Sequence, residues 1–164
     1  MLRAVTAQDI EQIRAWRNQD FIRTSFIDQG MISEEQQRLW FERYVNAADD
    51  QMFLIIEKEP SCRPVGTAAL YRIDRQQLTA EFGRLMIGEP TALGKGYGQE
   101  ATRLLCKHAF RHLGLKQLYL EVLENNLRAI RIYRQCGFKP SSITEKNGLR
   151  LMKMVLHEYK AESG

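Results

Sequence analysis

Cysteine and proline are scarce in this chain, with three and four copies in 164 residues, and no apolar run approaches the length of a membrane span. Cys62, Cys106 and Cys136 are odd in number, widely spaced and form no Cys-x-x-Cys pair. That excludes a disulfide framework and a zinc ribbon. Residues 1–6 contain no apolar core of a leader peptide, so a reducing cytoplasm is the expected location and no membrane partner is expected. There is no internal repeat, low-complexity tract or linker-like stretch. The surplus of basic residues is small, 24 against 20 acidic, for a net charge of +4. Such a balance suits an anionic small ligand and does not argue for nucleic acid. With 44% hydrophobic and 27% charged residues, the composition is that of an ordinary globular protein, and one domain over residues 1–164 is expected.

What the chain does have is a run of alternating glycines, Leu93, Gly94, Lys95, Gly96, Tyr97 and Gly98, directly before a helical pattern over 99–113. Glycines let several backbone N–H groups approach one point without Cβ interference. The helix behind them adds unpaired donors and a partial positive charge. Together they form an anion seat suited to a phosphate or pyrophosphate. A dinucleotide fingerprint is excluded, because after Gly94 and Gly96 the third glycine position holds Gln99. A P-loop is excluded as well. Gly88 stands one residue too far away, and Gly96 replaces the hydroxyl that would hold magnesium.

Apolar periodicity predicts a short strand over 2–5, a helix from Thr6 to Asn18, and a loop over 19–32. Ser33, Glu34, Glu35 and Gln36 read as a capping box opening a second helix with an aromatic side at Trp40, Phe41 and Tyr44. Strands follow over 52–57, 64–73 and 78–87, with Gly66 marking a bulge. After the glycine loop, the helix presents Ala101, Leu104, Leu105, His108, Ala109 and Leu113 on one face and stops at Gly114. A strand over 117–123, a helix capped by Asn126, and strands over 138–143 and 149–156 around Asn147-Gly148 complete a mixed α/β sheet flanked by helices.

This order of elements, the strand over 80–87, the glycine loop, and the pattern Asn126, Ala129, Ile130, Tyr133, Gly137, Phe138 resemble the GNAT superfamily of acyl-CoA-dependent N-acetyltransferases. The nearest likeness is to the branch holding ribosomal-protein N-terminal, spermidine and sugar-nucleotide N-acetyltransferases. The resemblance implies a central, mostly antiparallel sheet that splays to admit the pantetheine arm of acetyl-CoA. Leu85, Met86 and Ile87 would then meet that arm, with Leu85 N–H polarising the acetyl carbonyl. Residues Gly94, Lys95, Gly96, Tyr97, Gly98 and Gln99 would hold the pyrophosphate, and Asn126 would touch the pantetheine. Leu93 departs from the glutamine or arginine usual at its place. By the same resemblance Tyr133 donates a proton to the departing sulfur and Glu81 is the base that takes the amine proton, with Glu121 and His108 in reserve.

For the acceptor, a small-molecule amine, the spelling of residues 14–44 is similar to that of enzymes acetylating nucleotide-linked amino sugars. Arg17, Arg23 and Trp40 would serve such a substrate, since guanidinium forks hold phosphate and indole faces stack on rings. The alternatives are a protein N-terminus, a polyamine lined by carboxylates such as Glu34, Glu35, Asp49 and Asp50, or an inactive acyl-CoA sensor. His108 and His112 have the spacing of a two-histidine metal face, but no third ligand accompanies them and no metal is expected. Two basic ridges, Arg103, Lys107 and Arg111 and then Arg128, Arg131 and Arg134, are solvated faces or a contact to the 3′-phosphate of CoA. The oligomeric state left open is monomer or homodimer.

Overall fold

The structure is a computed structural model, and it describes residues 1–158; residues 159–164 of the expected domain lie outside the described residues. Seven strands form one sheet: β1 (Leu2–Ala4), β2 (Gln51–Ile56), β3 (Pro64–Asp74), β4 (Thr79–Ile87), β5 (Gln117–Leu123), β6 (Lys139–Lys146) and β7 (Leu149–His157), in the order β1-β2-β3-β4-β5-β7-β6. Every neighbouring pair is antiparallel except β4 and β5. The helices are α1 (Ile10–Arg17), α2 (Asp20–Arg23), α3 (Glu34–Val45), α4 (Tyr97–Arg111) and α5 (Leu127–Gln135).

Local signals account for most boundaries. Ser33 accepts from Gln36 N and Gln36 returns to Ser33 N, so the capping box starts α3 as its residues predict. Asn126 Oδ1 accepts from Ala129 N at 3.2 Å and starts α5. Asn147 and Gly148 take φ of 52° and 76°, the left-handed pair that a two-residue hairpin needs between β6 and β7. Three expectations need correction. The expected loop over 19–32 holds one helical turn, α2. The helix after the glycine loop starts at Tyr97, because its first turn needs only a backbone able to leave the left-handed Gly96. Leu104 is exposed, and the inward face of α4 carries Thr102 and Cys106 beside Ala101, Leu105 and Ala109.

Two apolar layers sandwich the sheet. On one face α4 and α5 pack over Leu70, Phe82, Leu118, Leu120 and Met154. On the other, α1, α2 and α3 cover the β1–β4 half through Ile13, Trp16, Ile22, Leu54 and Met86. Trp16 fixes the end of β4 from this side. Its indole lies so close over Gly88 that a Cβ there would stand 2.1 Å from the ring, and its Nε1–H donates to Glu89 Oε1 at 2.9 Å. Gly66 has a similar role. The expected bulge is present, since the β2–β3 register slips between Gly66 and Pro64. A Cβ at Gly66 would also stand 2.1 Å from the Met86 carbonyl oxygen, so close approach of β3 to β4 is a second reason for this glycine.

Candidate active site

The sheet is split where β4 meets β5. Their parallel register is confined to Thr79↔Gln117, Ala80↔Leu118 and Glu81↔Tyr119. Beyond Glu81, β4 continues to Ile87 paired to β3, and β5 continues to Leu123 paired to β7. The two strands therefore diverge and leave a wedge between them. Arg84, at φ 51°, sits in the irregular part of β4, and its carbonyl accepts from Thr67 Oγ1 at 2.7 Å.

A cavity of about 310 Å³ occupies the mouth of this wedge. Of the residues expected to meet the acyl donor, Leu85, Met86, Ile87, Leu93, Gly94, Gly96, Tyr97, Gly98, Gln99 and Asn126 all line it, whereas Lys95 is exposed and does not. Gly94 and Gly96 have φ of 74° and 82°, and a Cβ at either would meet nothing within 4 Å. Glycine is needed there for the backbone conformation and not for room. Among the described residues, the N–H groups from Gly94 to Gln99 donate to no protein acceptor. Six backbone donors gathered at a helix start fit the doubly charged pyrophosphate of a CoA ester. Asn126 spends its Oδ1 on the α5 cap, which turns the amide toward service as a donor through Nδ2. Phe21 and Ile22 of α2, and Ser25 just after it, also line the cavity. Their short helix has no clear mark in the sequence, and only the fold places it here.

Tyr133 and Glu81 flank the start of the split without lining the cavity. Tyr133 is buried, its ring edge-on to Phe82 at 5.8 Å and to Phe138 at 5.9 Å. Burial, with a smaller contribution from nearby Tyr71, pushes its phenol far above the ordinary tyrosine value, so the proton stays on Oη. Glu81 is buried at the last β4–β5 pair and ion-paired to the exposed Arg72. Of the reserves, Glu121 is exposed on β5. His108 Nε2 lies 3.0 Å from Gln51 Oε1, with its ring against Phe53 and His112. Among the described residues no three His, Cys, Asp or Glu side chains gather as a metal site, and no helix is long and apolar enough to cross a membrane.

A second cavity, about 520 Å³, lies between α1, α3 and the sheet. Met86 lines both cavities, so the two meet at β4. Arg17 and Trp40 are on its wall as expected. Arg23 is not: its guanidinium is committed to Gln29 O at 2.8 Å and Asp20 Oδ1 at 2.9 Å, tying down the turn after α2. Sequence reasoning missed Arg43, Arg84, Phe26 and Asp28 on this wall. Arg43 was within reach, standing one helical turn after Trp40. Arg84 was not, because only the irregularity in β4 turns it inward.

Residues 1–139 match the family model described as acetyltransferase (GNAT) domain. The chain belongs to the GNAT acetyltransferase family. It is an acetyl-CoA-dependent N-acetyltransferase domain by that membership, with the mixed α/β fold of the family. A spermidine N(1)-acetyltransferase of Vibrio cholerae is 23% identical over 137 residues, covering 84% of this chain and 77% of that protein. The crystal structure of a V. cholerae spermidine N-acetyltransferase in complex with CoA and spermine superposes with a TM-score of 0.85. It is 20% identical and covers 96% of this chain and 94% of that one, a likeness of fold. An uncharacterized protein of Methanocaldococcus jannaschii is 26% identical over 148 residues, covering 90% of this chain. The match spans 29% of the length of that relative.

Proposed function

We propose that the protein moves an acetyl group from acetyl-CoA to the primary amine of a small molecule seated in the 520 Å³ cavity, reacting where that cavity meets the split at Met86. The observation that carries this reading is the meeting of two cavities on one strand, one walled by free backbone donors and the other by side chains of α1 and α3. Acetyl-CoA, when bound, supplies the acyl thioester. The chain supplies the rest. The glycine-loop N–H groups hold the anion and so fix the position of the arm. An alkylamine has a pKa of ~10.4, so a group must accept its proton before it attacks. Glu81 is assigned that role, with Arg72 orienting its carboxylate. Tyr133 holds a proton at Oη for the leaving sulfur.

Two acceptor classes have support. The name of the V. cholerae relative favours a polyamine. Arg17 and Trp40 on the cavity wall favour a nucleotide-linked amino sugar. Thiol release from acetyl-CoA, measured over polyamines, amino-sugar nucleotides and peptides, tests the assignment. Release that depends on an amine supports it, whereas acetyl-CoA binding without release on any acceptor would make the protein a sensor. Glu81→Gln should lower kcat about a hundredfold with the KM for acetyl-CoA unchanged. An unaltered rate from pH 6 to 9 would remove Glu81 from the role.

A further inference from the structure

The charges on the wall of the larger cavity narrow its ligand. Three guanidinium groups line it, from Arg17, Arg43 and Arg84, against a single carboxylate, Asp28. Arg84 is already neutralised: Nη1 and Nη2 reach Asp50 Oδ1 and Oδ2 at 2.7 and 2.9 Å, and its plane lies 4.4 Å from the Tyr71 ring. Asp28 is partly occupied too, since Oδ1 accepts from Gly30 N at 3.0 Å. Arg43 has no ion-pair partner among the described residues.

Arg17 is the telling residue. Its guanidinium lies over Phe26 at 4.0 Å, and Nη2 donates to the carbonyl of Asp28. Its Nη1 is buried and has no hydrogen-bond partner among the described residues; Arg23 Nε shares that condition, but of the two residues only Arg17 is on the cavity wall. A buried guanidinium N–H without an acceptor is costly, and proteins keep such groups where something else supplies the acceptor. Burial also pushes the Arg17 pKa below its ordinary value, the direction that an arriving negative charge would reverse.

The carboxylates that a polyamine would need are elsewhere. Glu34, Glu35 and Asp49 do not line the cavity, and Asp50 is held by Arg84. A chain of ammonium groups would meet two guanidinium groups without an ion-pair contact among the described residues and one carboxylate, Asp28, which already faces Arg17.

We infer that the acceptor is an amine that also carries an anion, a phosphate or a carboxylate, received by Arg17 Nη1 and Arg43 while its amino group faces Met86. This rests on the reading that the acceptor occupies this cavity. The sites of recognition and of reaction are then at different places, the first on the wall of this cavity and the second beside it at the start of the split. Arg17 and Arg43 select, and Glu81 and Tyr133 act on protons.

Binding is measured on CoA-saturated protein, so that a nucleotide probe cannot enter the donor cleft, and turnover on protein supplied with acetyl-CoA alone. Isothermal titration with UDP and with inorganic phosphate measures the anion seat directly. Thiol release is then compared over an amino-sugar nucleotide, the same amino sugar as its 1-phosphate, the free amino sugar, an α-amino acid and spermidine. Turnover is expected only with the anion-bearing amines, and their order separates nucleotide diphosphate, simple phosphate and carboxylate as the source. Arg17→Gln should raise the acceptor KM at least tenfold and leave the KM for acetyl-CoA unchanged. Arg43→Gln, at an exposed position with no ion-pair contact to lose among the described residues, should raise the same constant by a smaller factor. Spermidine turnover unaffected by either substitution would overturn the inference and leave acetyl transfer standing. No amine-dependent thiol release at all would instead overturn the proposed function.

Discussion

Tyr133 illustrates how packing sets chemistry at the scale of one side chain. Phe82 and Phe138 hold its ring on two sides, and burial keeps the phenol protonated throughout the physiological range. Tyr133→Phe retains both ring contacts, so the fold should be nearly as stable, while kcat falls about a hundredfold or more with the KM for acetyl-CoA unchanged. Equal kcat in the variant would place the proton donor elsewhere. His108 gives a pH dependence of stability. Desolvation, and then neighbouring His112, lower its pKa in the fold. As pH falls below the ordinary histidine value of ~6.5, the unfolded chain therefore takes up the proton first and stability is lost. His108→Gln keeps a partner for Gln51 and removes the titration. Its thermal midpoint should fall less between pH 7 and 5 than that of the parent, and parallel curves would refute this.

At the scale of elements, the proposed donor site rests on the glycine loop and on the divergence of β4 from β5. Gly96 caps α4 from the left-handed region at φ 82°, so an L side chain there costs roughly 1–2 kcal/mol without any clash. Gly96→Ala should raise the KM for acetyl-CoA about tenfold and leave the acceptor KM alone, as read by initial-rate kinetics with each substrate varied. Most of these elements could be read from the residues. Capping boxes, hairpin glycines and stop signals are local, and the helix that Asn126 starts lies where that residue puts it. The one-turn helix α2 was not legible. Four residues carry too little periodicity, and its place on the wall of the 310 Å³ cavity depends on packing of Ile22 beneath α1.

Across the whole molecule, the sheet is two pieces joined at three residue pairs, with helices from both faces reaching the gap. A ligand that spans the wedge binds the folded state alone. Acetyl-CoA at a hundred times its Kd should add about 2.7 kcal/mol, which is a rise of roughly 5–10 °C in Tm for a chain of this size, measurable by thermal shift. The Gly96→Ala protein at the same concentration should gain less. Equal gains would mean that the glycine loop does not hold the donor.

The sequence by itself determined the motifs that place the chain in its family and the glycine loop at the start of α4, because each rests on short-range spacing or backbone freedom written in neighbouring residues. The roles proposed for Tyr133 and Glu81 come from the family resemblance. Tertiary structure alone decided which residues wall the 520 Å³ cavity. The pairing of Arg84 with Asp50 joins segments far apart in the chain, while Arg23 is held by Gln29 O and Arg17 by Asp28 O across the irregular stretch after α2, whose shape no local periodicity writes. Whether an arginine is free to hold a ligand depends on which carboxylate or carbonyl reaches it first, and that is a property of the folded contact, not of the residue.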